Sequence, residues 1–181
     1  MSRLFALTVF ILLLPLFIIV ALLIIVEDGL PFFYIQKRVG LHGEEFFLFK
    51  FRSMKKNTPV VASRDLNEPG KYVTKVGGII RKTSIDELLN LINIINGDLN
   101  FIGPRPILKS EEDLHNLREQ YRIDLKPGLT GLAQVQGRDH VTIEEKVGYD
   151  KFYQIHRGFK LNVYIISKTL YIVIFRKGIT H

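Results

Sequence analysis

The amino-acid sequence predicts an α+β fold that is mainly helical, with a short β-hairpin and an apolar helix at the N-terminus. Three observations support this class of fold. Residues 4–26 form a run of 23 residues without a charged side chain. Residues 31–54 alternate with the period of two that is typical of β-strands. Many of the later apolar residues recur at the three- and four-residue spacing of helices.

The composition allows one domain and favours an anionic partner. The chain has 181 residues, and its net charge of +7 comes from 25 basic and 18 acidic residues. Such a charge suits nucleic acid, an anionic lipid surface or a phosphorylated substrate, and it does not choose among the three. Cysteine is absent, which excludes disulfides and thiol chemistry.

The N-terminal apolar run has three interpretations. It is too long for a signal peptide, and no small-residue cleavage site precedes Glu27-Asp28. It is long enough to span a bilayer, which takes roughly 20 apolar residues. Pro15, near its middle, removes one backbone hydrogen bond, so a kinked span and a helix that bends and leaves on the same side both remain open. Basic residues on both flanks, including Arg3 and Lys37, fit the second of these.

A β-hairpin is predicted directly after this run. Phe33, Ile35 and Val39 lie on one side of the first strand, and residues 40–43 form the turn. The second strand carries phenylalanine at alternate positions. Residues 55–78 predict an irregular loop, because asparagine, proline and glycine recur through this segment.

The second half of the chain predicts helices separated by rigid loops. One helix begins with Ser84 as its N-cap and ends at Asn96-Gly97-Asp98. Residues 101–106 predict a stiff loop and residues 126–131 a turn, since both contain glycine and proline. The last predicted helix is apolar and is expected to lie at a membrane interface. The further helices are predicted for residues 109–124, 143–156 and 161–175.

The adjacent carboxylates Asp86 and Glu87 are the strongest candidates for chemistry. The pattern Ser84-x-x-Glu87 is also a capping box, and acidic residues in the first turn of a helix stabilise it without any catalytic role. The surroundings of the pair favour chemistry, because Arg81 precedes it and Arg105 follows in a glycine-proline loop. Arginine binds phosphate in a bidentate manner and carboxylate oxygens hold Mg²⁺, so this set fits phosphoryl transfer.

The loop Gly103-Pro104-Arg105-Pro106 has two interpretations that the sequence does not separate. Its prolines fix the backbone, so it is either only a rigid turn or a rigid mount for Arg105. The five histidines show no metal-ligand spacing. The sequence contains no Walker loop, no nucleophile-elbow serine and no dinucleotide fingerprint, so it carries no motif for the functions that these sequences mark.

Four ordered segments resemble one protein family. They are residues 50–54, 81–90, 97–106 and 126–138. In their order and spacing the chain resembles the bacterial sugar transferases, which are monotopic polyprenyl-phosphate phosphoglycosyl transferases. The resemblance runs from the N-terminus to about residue 175. The chain resembles the small form of the family, which consists of the catalytic core.

The resemblance implies a phosphoglycosyl transferase, an enzyme that transfers substituted phosphate groups. It would move a sugar 1-phosphate from a UDP-sugar to undecaprenyl (polyprenyl) phosphate, in the first membrane step of bacterial glycan assembly. Asp86 matches the nucleophile that forms a covalent aspartyl-phosphosugar and releases UMP. Glu87 matches the ligand of the Mg²⁺ cofactor. The substrate-binding basic positions correspond to Arg52, Arg81, Arg105 and Arg138.

The resemblance also implies where the chain lies. Residues 1–30 would form a re-entrant membrane helix broken at Pro15, and residues 31–181 a cytosolic and interfacial catalytic domain. The expected location is the cytoplasmic face of the bacterial inner membrane, in contact with phospholipid. Nucleic acid is not an expected partner, and a homo-oligomer is allowed.

The chain departs from the family pattern away from the carboxylate pair. Leu14 stands where serine usually precedes the proline, and Ala6 and Asn162 stand where aspartate is common. Neither the sugar nor the final glycan follows from the sequence. A rival hypothesis is a membrane-anchored basic module that binds anionic lipid or nucleic acid without catalysis. It leaves Asp86-Glu87 and the two glycine-proline loops unexplained, and the intact pair argues against a non-catalytic scaffold of the same fold.

Overall fold

The structure, a computed structural model, describes residues 2–59, 68–108, 111, 116, 118–120, 123–137 and 141–175. Its elements form an α+β architecture that is mainly helical, which confirms the predicted class. Two short β-sheets are described among the helices, one antiparallel and one parallel. Arg138 and most of the helix predicted for residues 109–124 lie outside the described residues, as does the middle of the predicted irregular loop.

The N-terminal helix, α1, spans Ser2–Asp28 and contains Pro15. A helix of this length is about 40 Å long. It is long and apolar enough to cross a membrane, and only 17% of its most apolar stretch is buried in the protein. One helix assignment continues through Pro15, so the break and the re-entry that the resemblance implies stay predictions.

The predicted hairpin is confirmed. Strands β1 (Phe33–Val39) and β2 (Glu45–Phe51) pair in antiparallel register, with Phe33 opposite Phe51. Phe51 is buried in the main core, which lies between α1, the hairpin and a later helix. The hairpin therefore forms one wall of the core, and its other face points away from the core.

Helix α2 (Lys75–Lys82) replaces the last part of the predicted irregular loop. Thr74 caps its N-terminus, because Thr74 Oγ1 accepts a hydrogen bond of 2.8 Å from the Gly77 amide. A Cβ atom on Gly77 would lie 1.9 Å from the carbonyl oxygen of Ser53. Gly77 therefore lets a helix pack closely against the chain, and its prediction as a loop residue was wrong.

The helix predicted to begin at Ser84 begins later and lacks the predicted capping box. Ser84 has a φ of 54° and its side chain makes no capping hydrogen bond. A serine cap needs an extended backbone, which this left-handed residue does not have. A 3₁₀ turn, Ile85–Glu87, precedes helix α3, Asn90–Asn96. The end of α3 was predicted correctly, since the amide of Gly97, at a φ of 95°, donates to Asn93 O at 2.9 Å.

The two glycine-proline loops contain short strands that pair with each other in parallel. Strand β3 (Asn100–Ile102) lies beside β4 (Gly128–Thr130), and helix α4 (Leu132–Gln136) follows. The amide of Gly103 donates to Thr130 O at 2.9 Å. The sequence predicted a stiff loop and a turn here, because strands of three residues are too short to show an alternating pattern.

Two helices complete the described chain. Helix α5 (Ile143–His156) has its predicted bounds, and α6 (Phe159–Phe175) begins slightly before its predicted start. Ile165 on α6 is fully buried, whereas the opposite face of α6 is apolar and exposed. Such a helix suits the boundary between protein and lipid. The exposed stripe comprises Phe159, Val163, Ile166, Leu170 and Ile174.

Both ends of α1 contact the rest of the protein. Near its N-terminus the rings of Phe5 and Phe101 have centroids 5.5 Å apart. At its C-terminus the Glu27 carboxylate accepts hydrogen bonds of 2.6 and 2.8 Å from the amides of Lys75 and Val76, which begin α2. The carboxylate thus satisfies two free donors at a helix N-terminus and fixes α1 to α2.

Candidate functional site

Asp86 lies half-buried in the 3₁₀ turn that precedes α3. Burial, followed by the neighbouring charge of Glu87, raises the pKa of the Asp86 carboxyl group from 3.8 to about 6. The positive charges of Lys50 and Arg81 oppose this rise in pKa. Asp86 is therefore ionised at neutral pH while it is partly removed from water, a combination that suits a nucleophile.

Glu87 is paired with a lysine that sequence analysis left without a role. Lys50 Nζ, on β2, lies 2.7 Å from Glu87 Oε1, and the lysine side chain is only 17% exposed. Lys50 belongs to the first of the four family segments, but its charge alone did not distinguish it from surface lysines. The hairpin register determines its direction, because alternate residues of a strand share a face.

Asn93 holds the strand of Lys50 against the helix that follows Glu87. Its side chain is fully buried, its Nδ2 donates to Phe47 O at 2.6 Å, and its Oδ1 accepts from the Phe49 amide at 3.1 Å. Polar side chains at helical spacing usually face solvent, but Asn93 and Asn90 are both buried. This link between α3 and β2 explains how Lys50 and Glu87 meet.

The loop that carries Arg105 is fixed at three successive carbonyl groups. Pro104 O accepts from the Gly128 amide at 2.9 Å, Arg105 O from Arg118 Nη1 at 2.9 Å, and Pro106 O from Arg38 Nη1 at 3.2 Å. The side chain of Arg105 itself is exposed. The loop is therefore rigid and leaves its guanidinium group available, which supports the interpretation as a mount for Arg105.

Arg118 supports this loop from a buried ion pair. Its Nη2 lies 2.8 Å from Asp150 Oδ2, and the Asp150 side chain is almost completely buried. Burial raises the pKa of Asp150, whereas the charge and hydrogen bond of Arg118 lower it. Because one guanidinium group binds both Asp150 and the backbone of Arg105, α5 is connected to the loop.

Three glycines allow the two loops to approach each other. A Cβ atom on Gly103 would lie 2.3 Å from the oxygen of Lys126. One on Gly128 would lie 2.1 Å from the Gly103 nitrogen, and one on Gly131 would lie 2.1 Å from the Gly103 oxygen. A side chain at any of these positions would push β3 and β4 apart, so the loop geometry requires glycine there.

Arg38, at the end of β1, is a second arginine beside Arg105. Its side chain is buried, and its Nη2 donates to Gln36 Oε1 at 2.7 Å. Burial and the charge of Arg105 lower the pKa of Arg38 to about 10. Two cations held this close favour an anion between or beside them. The sequence gives no signal of this burial, because a polar residue that alternates with apolar ones in a strand normally faces solvent.

One cavity collects the polar groups that lie around Glu87. Apolar residues, among them Leu48 and Leu99, complete its walls. Asp86 directly precedes Glu87 on the same 3₁₀ turn. A cavity with several cations and one carboxylate, next to the half-buried carboxylate of Asp86, is suited to a phosphorylated substrate. Its polar lining comprises Arg38, Lys50, Glu87, Asn90, Arg105 and Gln134.

The other predicted arginines occupy different places. Arg81, in the last turn of α2, is close enough to Asp86 to lower its pKa. Arg52 lies at the C-terminus of α1, where its Nη2 donates to Asp28 O at 3.1 Å and to Gly29 O at 2.6 Å. The same atom lies 3.2 Å from Asp28 Oδ2. Arg52 thus joins α1 to the hairpin, and Arg138 lies outside the described residues.

The donor set around Asp86 fits Mg²⁺ better than a metal held by protein ligands alone. No group of three or more histidine, cysteine, aspartate or glutamate side chains forms a metal site among residues 2–59, 68–108, 123–137 and 141–175 or the isolated described residues between them. Asp86 and Glu87 supply two neighbouring carboxylates. Mg²⁺ is typically bound by one or two carboxylates together with phosphate oxygens and water, which agrees with this pair.

The chain is similar along almost its whole length to proteins of one family. A family model described as Bacterial sugar transferase matches residues 1–176. The uncharacterized sugar transferase EpsL of Bacillus subtilis is 39% identical over 151 residues, which are 83% of this chain and 74% of the relative. The exopolysaccharide production protein ExoY of Sinorhizobium fredii is 34% identical over 179 residues, which are 91% of this chain and 79% of the relative.

A longer relative has a more specific name. The undecaprenyl-phosphate galactose phosphotransferase of Salmonella typhimurium is 37% identical over 169 residues. These residues are 85% of this chain and 36% of that relative. The family match includes Asp86, Glu87 and the loop of Arg105.

Proposed function

The chain belongs to the bacterial sugar transferase family, and on that premise we propose that it is a phosphoglycosyl transferase. It moves a sugar 1-phosphate from a UDP-sugar to undecaprenyl phosphate or a related polyprenyl phosphate. The name of the Salmonella relative, which specifies undecaprenyl phosphate and galactose, supports this acceptor and a sugar donor. The carboxylate pair and the cations around it support this reaction class.

The proposed reaction has two displacements at the β-phosphorus of the donor. An oxygen of the Asp86 carboxylate attacks this phosphorus, the bond to the bridging oxygen breaks, and UMP leaves with the electron pair. A phosphate oxygen of the polyprenyl phosphate then attacks the same phosphorus. The acyl-phosphate bond breaks, the Asp86 carboxylate is restored, and the lipid keeps the phosphosugar.

The observation that carries this proposal is the environment of Asp86. Its pKa of about 6 leaves it ionised at neutral pH, while burial reduces the water that would otherwise stabilise the charge. Lys50 pairs with the adjacent Glu87, and Arg105 and Arg38 line the same cavity. These groups supply positive charge where the phosphate group would stand.

Glu87 is the residue that would hold Mg²⁺, together with oxygens of the donor diphosphate. When bound, Mg²⁺ neutralises charge on the diphosphate and makes UMP a better leaving group. The chain's own cations have a related role, because Arg105 is presented on a rigid loop and Arg81 lies near Asp86. Arginine suits this task since its guanidinium group matches two phosphate oxygens.

The position of α1 supports a re-entrant membrane element, which we propose to lie at the cytoplasmic face of the inner membrane. Its exposed side is apolar, yet Phe5 near one end and Asp28 at the other both contact the α/β body. A helix that crosses a bilayer separates its ends by the membrane thickness, roughly 30 Å of hydrocarbon. Because both ends of α1 contact the body, we infer that both ends lie on the same side of the membrane as the body. The exposed stripe of α6 would face the same lipid surface.

The test is a donor panel with purified full-length protein in detergent. The reaction contains Mg²⁺, undecaprenyl phosphate and one UDP-sugar at a time: galactose, glucose, N-acetylgalactosamine or N-acetylglucosamine. We expect UMP release and formation of a lipid-linked phosphosugar with at least one donor, and neither product without Mg²⁺. Failure of every donor to release UMP would contradict the proposed function.

A further inference from the structure

The cavity beside Glu87 contains buried polar atoms that the protein leaves without partners. Five such side-chain atoms occur in the described part of the chain, and three of them belong to residues that line this one cavity. They are Arg38 Nε, Asn90 Oδ1 and Gln134 Oε1. The side chains of Arg38 and Asn90 are only 7% and 4% exposed. Since buried polar atoms are nearly always hydrogen-bonded, this concentration points to polar groups of a ligand or of bound water in the cavity.

The three atoms define the chemistry that a ligand must bring. Arg38 Nε can only donate a hydrogen bond, so it requires an acceptor such as a phosphate oxygen. The side-chain oxygens of Asn90 and Gln134 can only accept, so they require hydroxyl or N–H groups. A phosphate that carries a hydroxylated group satisfies all three atoms, whereas phosphate alone supplies acceptors but no donors when fully ionised.

Separate elements hold the two amides in place. Asn90 begins α3, three residues after Glu87 and on the same side of the chain, so both line the cavity. Gln134 lies on α4, and its Oε1 is so near Gly131 that a Cβ atom on that glycine would lie 2.5 Å from it. Gln134 thus reaches the cavity from the helix that follows β4, whereas Asn90 reaches it from α3.

The direction of the proposed displacement decides which end of the donor reaches these atoms. In an in-line reaction the leaving UMP lies opposite Asp86, so the nucleotide extends away from the nucleophile. The sugar oxygen and the two free oxygens of the β-phosphate lie at the sides of the phosphorus. Because Glu87 lines the cavity and Asp86 directly precedes it on the same 3₁₀ turn, a phosphosugar held at the phosphorus that Asp86 attacks lies next to this cavity.

Building on the proposed function, we propose that Asn90 and Gln134 bind the sugar of the donor through its hydroxyl or acetamido groups, while Arg38 binds its β-phosphate. The two amides are then specificity-determining residues. They discriminate among UDP-sugars because a sugar that places no donor group opposite them leaves two buried acceptors unpaired.

Equilibrium binding tests this assignment without turnover. The full chain with Asp86→Asn, in detergent with Mg²⁺, is titrated by calorimetry with UDP and with each UDP-sugar of the panel. Gln134→Met and Asn90→Leu are then added separately to this background, since both approximate the original volume and remove the accepting oxygen. Gln136→Met is the matched control, because Gln136 is exposed on the same helix as Gln134. Should Asn90→Leu fail to fold, Asn90→Ala replaces it.

We expect each variant to weaken the best-bound UDP-sugar about fivefold, the effect of one ordinary hydrogen bond, and to leave UDP within about twofold. Gln136→Met changes neither. The test quantity is the affinity for the UDP-sugar divided by the affinity for UDP. The proposal is overturned if either variant changes this ratio by less than about threefold, which includes the case in which both affinities fall equally. If no UDP-sugar binds the Asp86→Asn protein, the proposed function itself fails. Sugar binding that ignores both variants overturns only this inference.

Discussion

Lys50 Nζ lies 2.7 Å from Oε1 of Glu87, so the carboxylate beside the proposed nucleophile is already paired with a cation from the hairpin. The charge of Lys50 also lowers the pKa of Asp86, against the effects of burial and of Glu87. The hairpin is therefore an electrostatic part of the site as well as a wall of the core. This relationship leads to the first prediction.

Lys50→Met removes that charge and raises the pKa of Asp86 further. We expect the acid limb of the profile of kcat/KM against pH to move to higher pH, because the reaction needs ionised Asp86. The limb of the unchanged protein should fall below about pH 6. We also expect kcat to drop on the order of tenfold to a hundredfold, since a cation near the phosphate is lost.

The control for this variant is Lys37→Met, which removes an exposed lysine from the neighbouring strand. It should leave the acid limb in place. If Lys50→Met retains turnover and the acid limb of its kcat/KM profile stays at the same pH, then Lys50 does not act on Asp86.

Asp86→Asn should make the protein more stable at pH 7.5 while it abolishes turnover. The pKa of Asp86 is about 6 in the folded chain against an ordinary 3.8, so the folded state binds this proton more tightly. The ionised carboxylate therefore costs stability above the folded pKa, and the cost disappears as the pH falls below both values. We expect a gain of roughly 1–3 kcal/mol at pH 7.5 and a gain below about 1 kcal/mol near pH 4, which is close to the lower of the two pKa values.

Unfolding by denaturant at the two pH values measures this difference, with membrane association followed in parallel. Glu44→Gln serves as the control for the loss of an exposed carboxylate. An Asp86→Asn protein that is less stable at pH 7.5 would contradict the burial of a charged Asp86.

Gly128→Ala should disrupt the site although it changes no functional group. The new Cβ would lie 2.1 Å from the Gly103 nitrogen, so β3 and β4 must separate and the Arg105 loop loses its position. We expect a loss of stability of about 2 kcal/mol or more and a fall in kcat/KM of at least tenfold. Gly148→Ala is the matched control, since its Cβ would meet nothing within 4 Å and helical alanine is favoured. Thermal unfolding and donor kinetics measure the two effects. If both are equal for the two variants, the close approach of β3 and β4 does not require glycine at position 128.

The proposed re-entry of α1 predicts that both of its ends are accessible from the cytoplasm. Because the chain has no cysteine, Ser2→Cys and Gly40→Cys introduce single thiols at the first residue of α1 and next to the hairpin turn. A membrane-impermeant maleimide should label both only when applied to the cytoplasmic side, as in inverted vesicles. The unchanged chain should not be labelled. Labelling of the two positions from opposite sides would show that α1 spans the bilayer.

Local sequence patterns predicted the elements whose signals are local. The hairpin followed from alternation, α5 from helical spacing, and the end of α3 from Gly97. Ser84 showed the limit of such patterns, because its spacing to Glu87 matched a capping box while its backbone is left-handed. A short polar sequence cannot reveal the φ of one residue when the surrounding fold determines it.

The candidate site was predicted in its carboxylates and only partly in its surroundings. Asp86, Glu87 and Arg105 were recognised by family motifs, and the structure brings the latter two to one cavity. Arg38 and the pairing of Lys50 were missed, because both depend on contacts between residues far apart in the chain. The parallel pairing of the two glycine-proline loops was missed for the same reason.

The central claim is that Asp86 carries the phosphosugar between the two displacements. The direct test incubates the full-length protein with Mg²⁺ and a UDP-sugar radiolabelled in its β-phosphate, without any lipid acceptor, and then maps the label by proteolysis and mass spectrometry. We predict that UMP is released in an amount no greater than that of the protein and that the label is attached to Asp86. Undecaprenyl phosphate should then remove it, and Asp86→Asn should acquire none. Label on Asp86→Asn, or full turnover with no labelled protein at any time, would contradict the account.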